Sequence, residues 1–309
     1  MGTPIIALNL VPQEPLLRAS HVTLEYASAH AHGPATVRAT DDVSFDVHRG
    51  DRFVLLGPSG CGKSTLLKAV GGFIAPAAGS LALSGLPIVG PGPDRIVVFQ
   101  EFDQLPPWKT VRQNVMFPML ASGVGRAESD RRARHWLGKV GLARFADAYP
   151  HTLSGGMKAR VAIARALAMQ PAVLLMDEPF AALDALTRRS MQEQLQALWD
   201  EIGFTMLFVT HSIEEALVVG NRILLLSPHP GRVRAELNSH QFSLSSAGSE
   251  QFQAATQRIH GLLFGNADDA PDAPDAADAV NALNAANAAS SASSANPRHG
   301  ARHAAEELR

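Results

Sequence analysis

The sequence has one cysteine, Cys61, and therefore neither an internal disulfide nor a cysteine-built metal cluster, which fits a reducing cytoplasm. It also lacks an excess of either charge: 27 Lys and Arg stand against 29 Asp and Glu, a formal net charge of -2. With no global basic field, no nucleic-acid partner is expected, and any phosphate ligand has to be held by a local site. No apolar run reaches the ~18 residues that a membrane-spanning helix needs. The short run Ile5 to Val11 has no basic flank and closes at Pro12, unlike a signal peptide. What is present is enough for a real core: 309 residues, 46% apolar and 18% charged.

Composition divides the chain into an N-terminal extension, 1–18, a globular part, 19–264, and a tail, 265–309. The tail turns to Ala, Asp, Asn and Ser, with too few large apolar groups to offset chain entropy, so disorder is expected, with an Ala-rich helix as the competing reading. In the globular part, short runs rich in Val, Leu and Phe alternate with helical stretches, the pattern of a parallel sheet covered by helices. Phe53 to Leu56, Ile96 to Phe99, Val173 to Met176, Met206 to Val209 and Ile223 to Leu226 read as buried strands. His21 to Glu25 and Val43 to Val47 alternate, as strands with one wetter face do. No strand run appears between Glu101 and Thr152, so about 101–160 is expected to be a helical subdomain.

Directly after the first buried run come Gly57, Pro58, Ser59, Gly60, Cys61, Gly62, Lys63, Ser64 and Thr65, and then a helix former. This is the phosphate-loop pattern of two glycines bracketing four residues, followed by Lys and Ser. Glycines let backbone N–H groups wrap a phosphate, and the helix that follows turns its positive end to the same anion. Lys63 is placed to reach the phosphates and Ser64 to ligate Mg²⁺, which makes a nucleotide's phosphates with Mg²⁺ the expected ligand pair. A bare Gly-rich turn is the competing reading, and the loop alone leaves kinases, GTPases and helicases open.

A second glycine loop decides among them. In Leu153 to Met157, Ser154 stands as an N-cap and Gly155 and Gly156 expose the first donors of a strong helix, a second anion site in one chain. Here the sequence resembles the ABC ATPase family, whose signature loop binds the γ-phosphate held by the opposite subunit of a head-to-tail homodimer. Two positions depart from the usual pattern: Met157 and Ala159 stand where glutamines are commoner. The resemblance covers about Ala19 to Phe264. It implies an α/β fold with a P-loop ATPase core, an antiparallel β subdomain and a helical subdomain.

The apolar run ending in Asp177 and Glu178 delivers two acids to the crevice where open parallel sheets bind ligands. By resemblance, Asp177 holds Mg²⁺ and Glu178 is the general base for the attacking water. Likewise Ala181 to Asp184 looks like the loop that crosses the dimer interface. Gln100 is similar to the glutamine that senses Mg²⁺ and the γ-phosphate, and His211 to the switch histidine, followed by Ser212 instead of the usual Asp. Tyr26 is similar to the aromatic that stacks on adenine; the other tyrosine, Tyr149, is too far downstream. The stretch from Ala27 to Ala35 reads as a short insertion.

The segments Gln100 to Val115 and Ser227 to Val233 look most like importer subunits for nitrate, aliphatic sulfonates or taurine. That resemblance implies a separate transmembrane permease, a substrate-binding protein and a peripheral place on the cytoplasmic face of the membrane. Phe102, Leu105 and Trp108 are expected to form the permease contact, with packing inside the helical subdomain as the alternative. A soluble ABC ATPase of DNA repair or translation is disfavoured by the lack of a long insertion between Gln100 and Ser154. A lipid-trafficking ABC subunit is the remaining alternative.

Overall fold

The structure is a computed structural model that describes residues 14–27, 36–99 and 104–265. The run Ile5 to Val11, most of the insertion after Tyr26, Gln100, Phe102 and the tail beyond Gly265 lie outside the described residues.

Two sheets carry the fold. The first is antiparallel, with β1 (Leu17–Ala27), β2 (Thr36–Val47), β4 (Ala78–Leu83) and β5 (Leu86–Pro87) in the order β2-β1-β4-β5. The second has six strands in the order β10-β9-β3-β8-β7-β6: β3 is Arg52–Leu56, β6 Arg95–Val98, β7 Val173–Asp177, β8 Met206–Thr210, β9 Arg222–Leu226 and β10 Val233–Asn238. Strands β3, β6, β7, β8 and β9 are parallel, and β10 closes the edge antiparallel to β9.

The reason these runs are uniformly apolar is that both faces of the sheet are covered. Val54, Leu56, Leu174, Met176, Met206 and Phe208 face one core, which includes the helical layer. Their neighbours Phe53, Leu55, Val173, Leu175, Leu207 and Val209 face the other, shared with α1 (Lys63–Val70) and the antiparallel sheet. A polar residue at any of these positions would lie against one core or the other, so alternation disappears from the sequence. β4, β5 and β10 were not among the expected strands. β4 carries Ala, Gly and Ser, β5 is two residues long, and β10 mixes Arg, Glu and Asn with its apolar residues, so none forms an apolar run.

The helical layer contains α2 (Val111–Ala121), α3 (Arg126–Lys139) and α4 (Gly155–Ala168), joined by Val115, Met119, Leu137 and Val161 in one core. α2 opens on a capping box, Thr110 with Gln113. These helices lie in the part of the chain where a helical subdomain was expected, about 101–160, and α4 carries it on to Ala168. On β3 and β8 packs α6 (Ile213–Val219), with α5 (Ala185–Ile202) and α7 (Glu250–Phe264) beside it, each N-capped by an Asp or Ser side chain. Leu105 is 2% exposed and packs in the helical core, which corrects its expected place on a permease contact. Ala159 is also buried in that core, where the longer glutamine would be desolvated.

Candidate functional site

The site lies at the carboxyl ends of β3, β8 and β7, which are adjacent in the sheet. The chain leaves β3 as the loop Gly57–Gly62 and passes into α1, whose first residue is Lys63. Gly62 has φ +93°, and a Cβ there would lie 2.6 Å from the Ala39 carbonyl oxygen and 2.7 Å from Thr40 Cγ2 of β2. Only glycine accepts both that backbone angle and that approach. Gly231 closes the other side: a Cβ there would lie 2.1 Å from the Cys61 carbonyl oxygen, and its N–H donates to Ala39 O at 3.0 Å. Nothing in the local pattern Pro-Gly-Arg distinguishes Gly231 from a turn glycine, which is why sequence reasoning missed its part in the loop.

Lys63 is 4% exposed, and its Nζ donates to the carbonyls of Gly57 and Pro58 at 2.8 and 2.9 Å. The two carbonyls offset part of the cost of burying the ammonium and hold it at the loop. Burial raises the neighbouring Cys61 thiol, keeping it neutral. Ser64 Oγ donates to Asp177 Oδ1 at 2.7 Å, so the hydroxyl after the loop and the carboxylate ending β7 meet. Burial pushes the Asp177 carboxyl up, the Ser64 hydrogen bond pulls it down, and the charge of Glu178 pushes it up again. Hard oxygen donors from a hydroxyl and a carboxylate are the set that Mg²⁺ takes from proteins, with substrate phosphates completing its shell.

Glu178 follows with φ +44°, a left-handed conformation uncommon for a residue with a side chain, while its N–H still donates to Val209 O of β8 at 3.0 Å. The twist turns Glu178 out of the strand, and its Oε2 lies 2.9 Å from His211 Nδ1. Beyond it, the turn Ala181–Asp184 is held by Arg188 of α5, which donates to Phe180 O at 3.3 Å and Leu183 O at 3.0 Å. Its distance from the acids in sequence hid that role.

The remaining expected site residues are more scattered. Ser154 caps α4, accepting from Met157 N–H at 3.3 Å, as its position predicts. Gly156 faces α5, where a Cβ would lie 2.7 Å from Thr187 Cγ2. The contacts described for this loop are therefore with its own helix and α5. Tyr26 is 49% exposed near the end of β1, paired with Val37, close in register to the Ala39–Thr40 segment that supports the phosphate loop. Pro58, Ser59, Gly60 and Thr65 remain at least partly accessible along the loop and the first turn of α1.

Among known proteins, the family model described as ABC transporter matches residues 40–181. Taurine import ATP-binding protein TauB of Rhizobium johnstonii is 45% identical over 261 residues, covering 82% of this chain and 98% of that protein. A dimeric ATP-binding cassette solved in a post-hydrolysis state with ADP and Pi superposes with a TM-score of 0.62 at 33% identity, over 73% of this chain and 100% of its own. The cbiO1 protein of Clostridium perfringens, part of the ABC transporter complex cbiONQ, gives a TM-score of 0.65 at 26% identity, over 80% and 97%.

Proposed function

This chain belongs to the ABC transporter family as an ATP-binding, ATP-hydrolysing subunit, and from that premise we propose that it powers import of a small anion, a sulfonate such as taurine or a nitrate-like ion, through a separate membrane permease. The observation that carries the reading is the convergence of Lys63, Ser64, Asp177, Glu178 and His211 at the ends of three neighbouring strands. The likeness to TauB, which extends over nearly that protein's whole length, supports the substrate class.

Lys63 and the loop N–H groups hold the β- and γ-phosphates, with α1 adding its positive end. Ser64 and Asp177 are the residues that would hold Mg²⁺, with Gln100 as a third ligand by resemblance. The ion, when bound, would neutralise phosphate charge as it develops. Glu178 takes the proton of the attacking water, and His211, in contact with it, orients Glu178 and faces the γ-phosphate. Tyr26 stacks on the base. Ser154, Gly155 and Gly156 serve the nucleotide of a second copy, so the active form is a homodimer with nucleotide between signature loop and phosphate loop. The dimeric cassette with ADP and Pi supports a dimeric form. The nucleotide-binding unit, read from the sequence as 19–264 with about 101–160 as its helical subdomain, also takes in Leu16 and Leu17, which the expected extension 1–18 included but which are buried in the core at the start of β1.

No helix among the described residues is long and apolar enough to cross a membrane; in this reading the permease supplies the pathway. Its contact on this chain centres on Trp108, 74% exposed, and on a groove of about 620 Å³ beside α2 and α3 that includes Met116, Phe117 and Leu120. A substrate-binding protein delivers the anion from the far side, and the subunit sits on the cytoplasmic face of the membrane. The test is reconstitution of the chain with its permease and substrate-binding protein in vesicles. ATP on the side of this chain should drive taurine or another sulfonate toward that side, and absence of any ATP-dependent anion flux would overturn the import reading.

A further inference from the structure

Behind His211 lies a buried carboxylate that the mechanism above leaves unused. Glu215, on the first turn of α6, is 8% exposed. Its Oε2 accepts from Thr210 Oγ1 at 2.5 Å and its Oε1 from Gln192 Nε2 of α5 at 3.1 Å. Thr210 Oγ1 in turn accepts from Ser212 N–H at 3.1 Å, and Ser212 Oγ accepts from Glu215 N–H at 3.3 Å. The residues on both sides of His211 are thus tied into one closed ring of hydrogen bonds. The strand pleat separates the roles: Thr210 turns toward α6 and α5, while His211 stands exposed at the crevice against Glu178.

Burying a carboxylate without a cationic partner bonded to it costs stability, and burial pushes the Glu215 carboxyl up against the pull of its Thr210 and Gln192 bonds. An apolar residue would fill the same space beneath α6 at lower cost. What it could not do is fix the backbone on either side of His211. The second arm of the ring reaches Gln192, on the helix that begins at Asp184 and whose Arg188 holds the turn after Glu178.

We propose that Glu215 is a positioning residue for ATP hydrolysis: through Thr210 and Ser212 it sets the backbone that aims His211 at Glu178, and through Gln192 it ties that aim to α5 and the turn ending at Asp184. The proposal rests on the reading of His211 as a contributor to hydrolysis. A displacement of a catalytic group by about 1 Å is enough to cost on the order of 10²-fold in rate, so a ring of bonds that touches no substrate can still govern turnover.

The test compares Thr210→Val, Glu215→Gln and His211→Ala in the full chain, with ATP turnover, KM for ATP and melting temperature measured for each. Thr210→Val and Glu215→Gln are expected to lower kcat about tenfold or more with KM within about twofold, because the phosphate loop is untouched. Combined with His211→Ala, each should add no further loss, since both act through that side chain. If His211→Ala alone leaves kcat unchanged, the reading of His211 fails. If it lowers kcat while the other two variants turn over normally, or if their losses multiply in its background, the positioning role of Glu215 is overturned. A fall in melting temperature with unchanged kcat per folded molecule, or failure of all the ring variants to fold, assigns Glu215 a structural part only and likewise overturns it.

Discussion

His211 Nδ1 and Glu178 Oε2 are 2.9 Å apart, which joins the residue after β8 to the residue after β7 across the crevice. Glu178 reaches that contact only because its backbone leaves β7 at φ +44°. The same turn separates it from Asp177, which points instead to Ser64. Two consecutive acids are thereby given different partners and, in the proposed mechanism, different work.

Glu178→Gln keeps the shape of this contact and removes the base. Nucleotide binding should persist while hydrolysis slows by about 10² to 10⁴. ATP should then hold the variant as a dimer; sedimentation showing only monomer at high protein concentration with ATP would count against the sandwich arrangement.

Lys63→Ala should abolish both nucleotide binding and turnover. The ammonium is held by Gly57 and Pro58 at the centre of the loop, and no other lysine is described in that position. Equilibrium binding of a fluorescent ATP analogue checks this, and near-normal affinity would remove the loop from its assigned role.

Asp177 offers a pH test with a definite sign. Because burial raises its carboxyl, between the unfolded and the raised pKa the native state holds a proton that the unfolded chain has lost. Its contribution to native stability is therefore fully present at acid pH and falls as pH rises through that window. Asp177→Asn should remove this dependence and melt no lower than the parent at neutral pH without nucleotide. The melting-temperature rise on adding Mg²⁺ and ATP should disappear. A lower melting temperature for the nucleotide-free variant would show that the carboxylate is a net stabiliser there.

Leu105 and Trp108 separate folding from docking. Leu105→Ala opens the helical core and should cost about 2–5 kcal/mol in denaturant unfolding. Trp108→Ala removes an exposed ring and should leave stability and basal ATPase unchanged while permease-coupled transport is lost. Normal transport by Trp108→Ala would move the contact elsewhere.

The sequence-level reading located what is encoded by strong local chemistry. Apolar runs revealed the five parallel strands because burial on both faces admits little else, and the loop at Gly57 to Thr65 announced itself through spacing. It failed where a residue's role depends on the chain returning from elsewhere. Leu105, flanked by prolines and aromatics, carries no periodicity to tell an interior position from a docking surface. Glu215 reads as one more acid at the start of a helix until α5 closes over it. Arg188 reads as a surface charge until the turn after Glu178 folds back on it.

The fit of Gly231 against Cys61, and of Gly62 against Ala39 and Thr40, makes the phosphate loop a casting rather than a hinge. Its curvature is moulded by backbone from the antiparallel sheet and from a segment far along the chain, at Gly231. A change in how that sheet seats on the parallel core is expected to alter the grip on ATP, and by reciprocity ATP then favours the seating that grips it. Amide exchange at Asp41 and Gly231, whose N–H groups donate to Gly231 O and Ala39 O and so tie the two segments together, should slow when nucleotide binds. The affinity of this subunit for ATP is then a gauge of how its two sheets are seated, and a mechanical strain applied to either one would register in the other as nucleotide held or released.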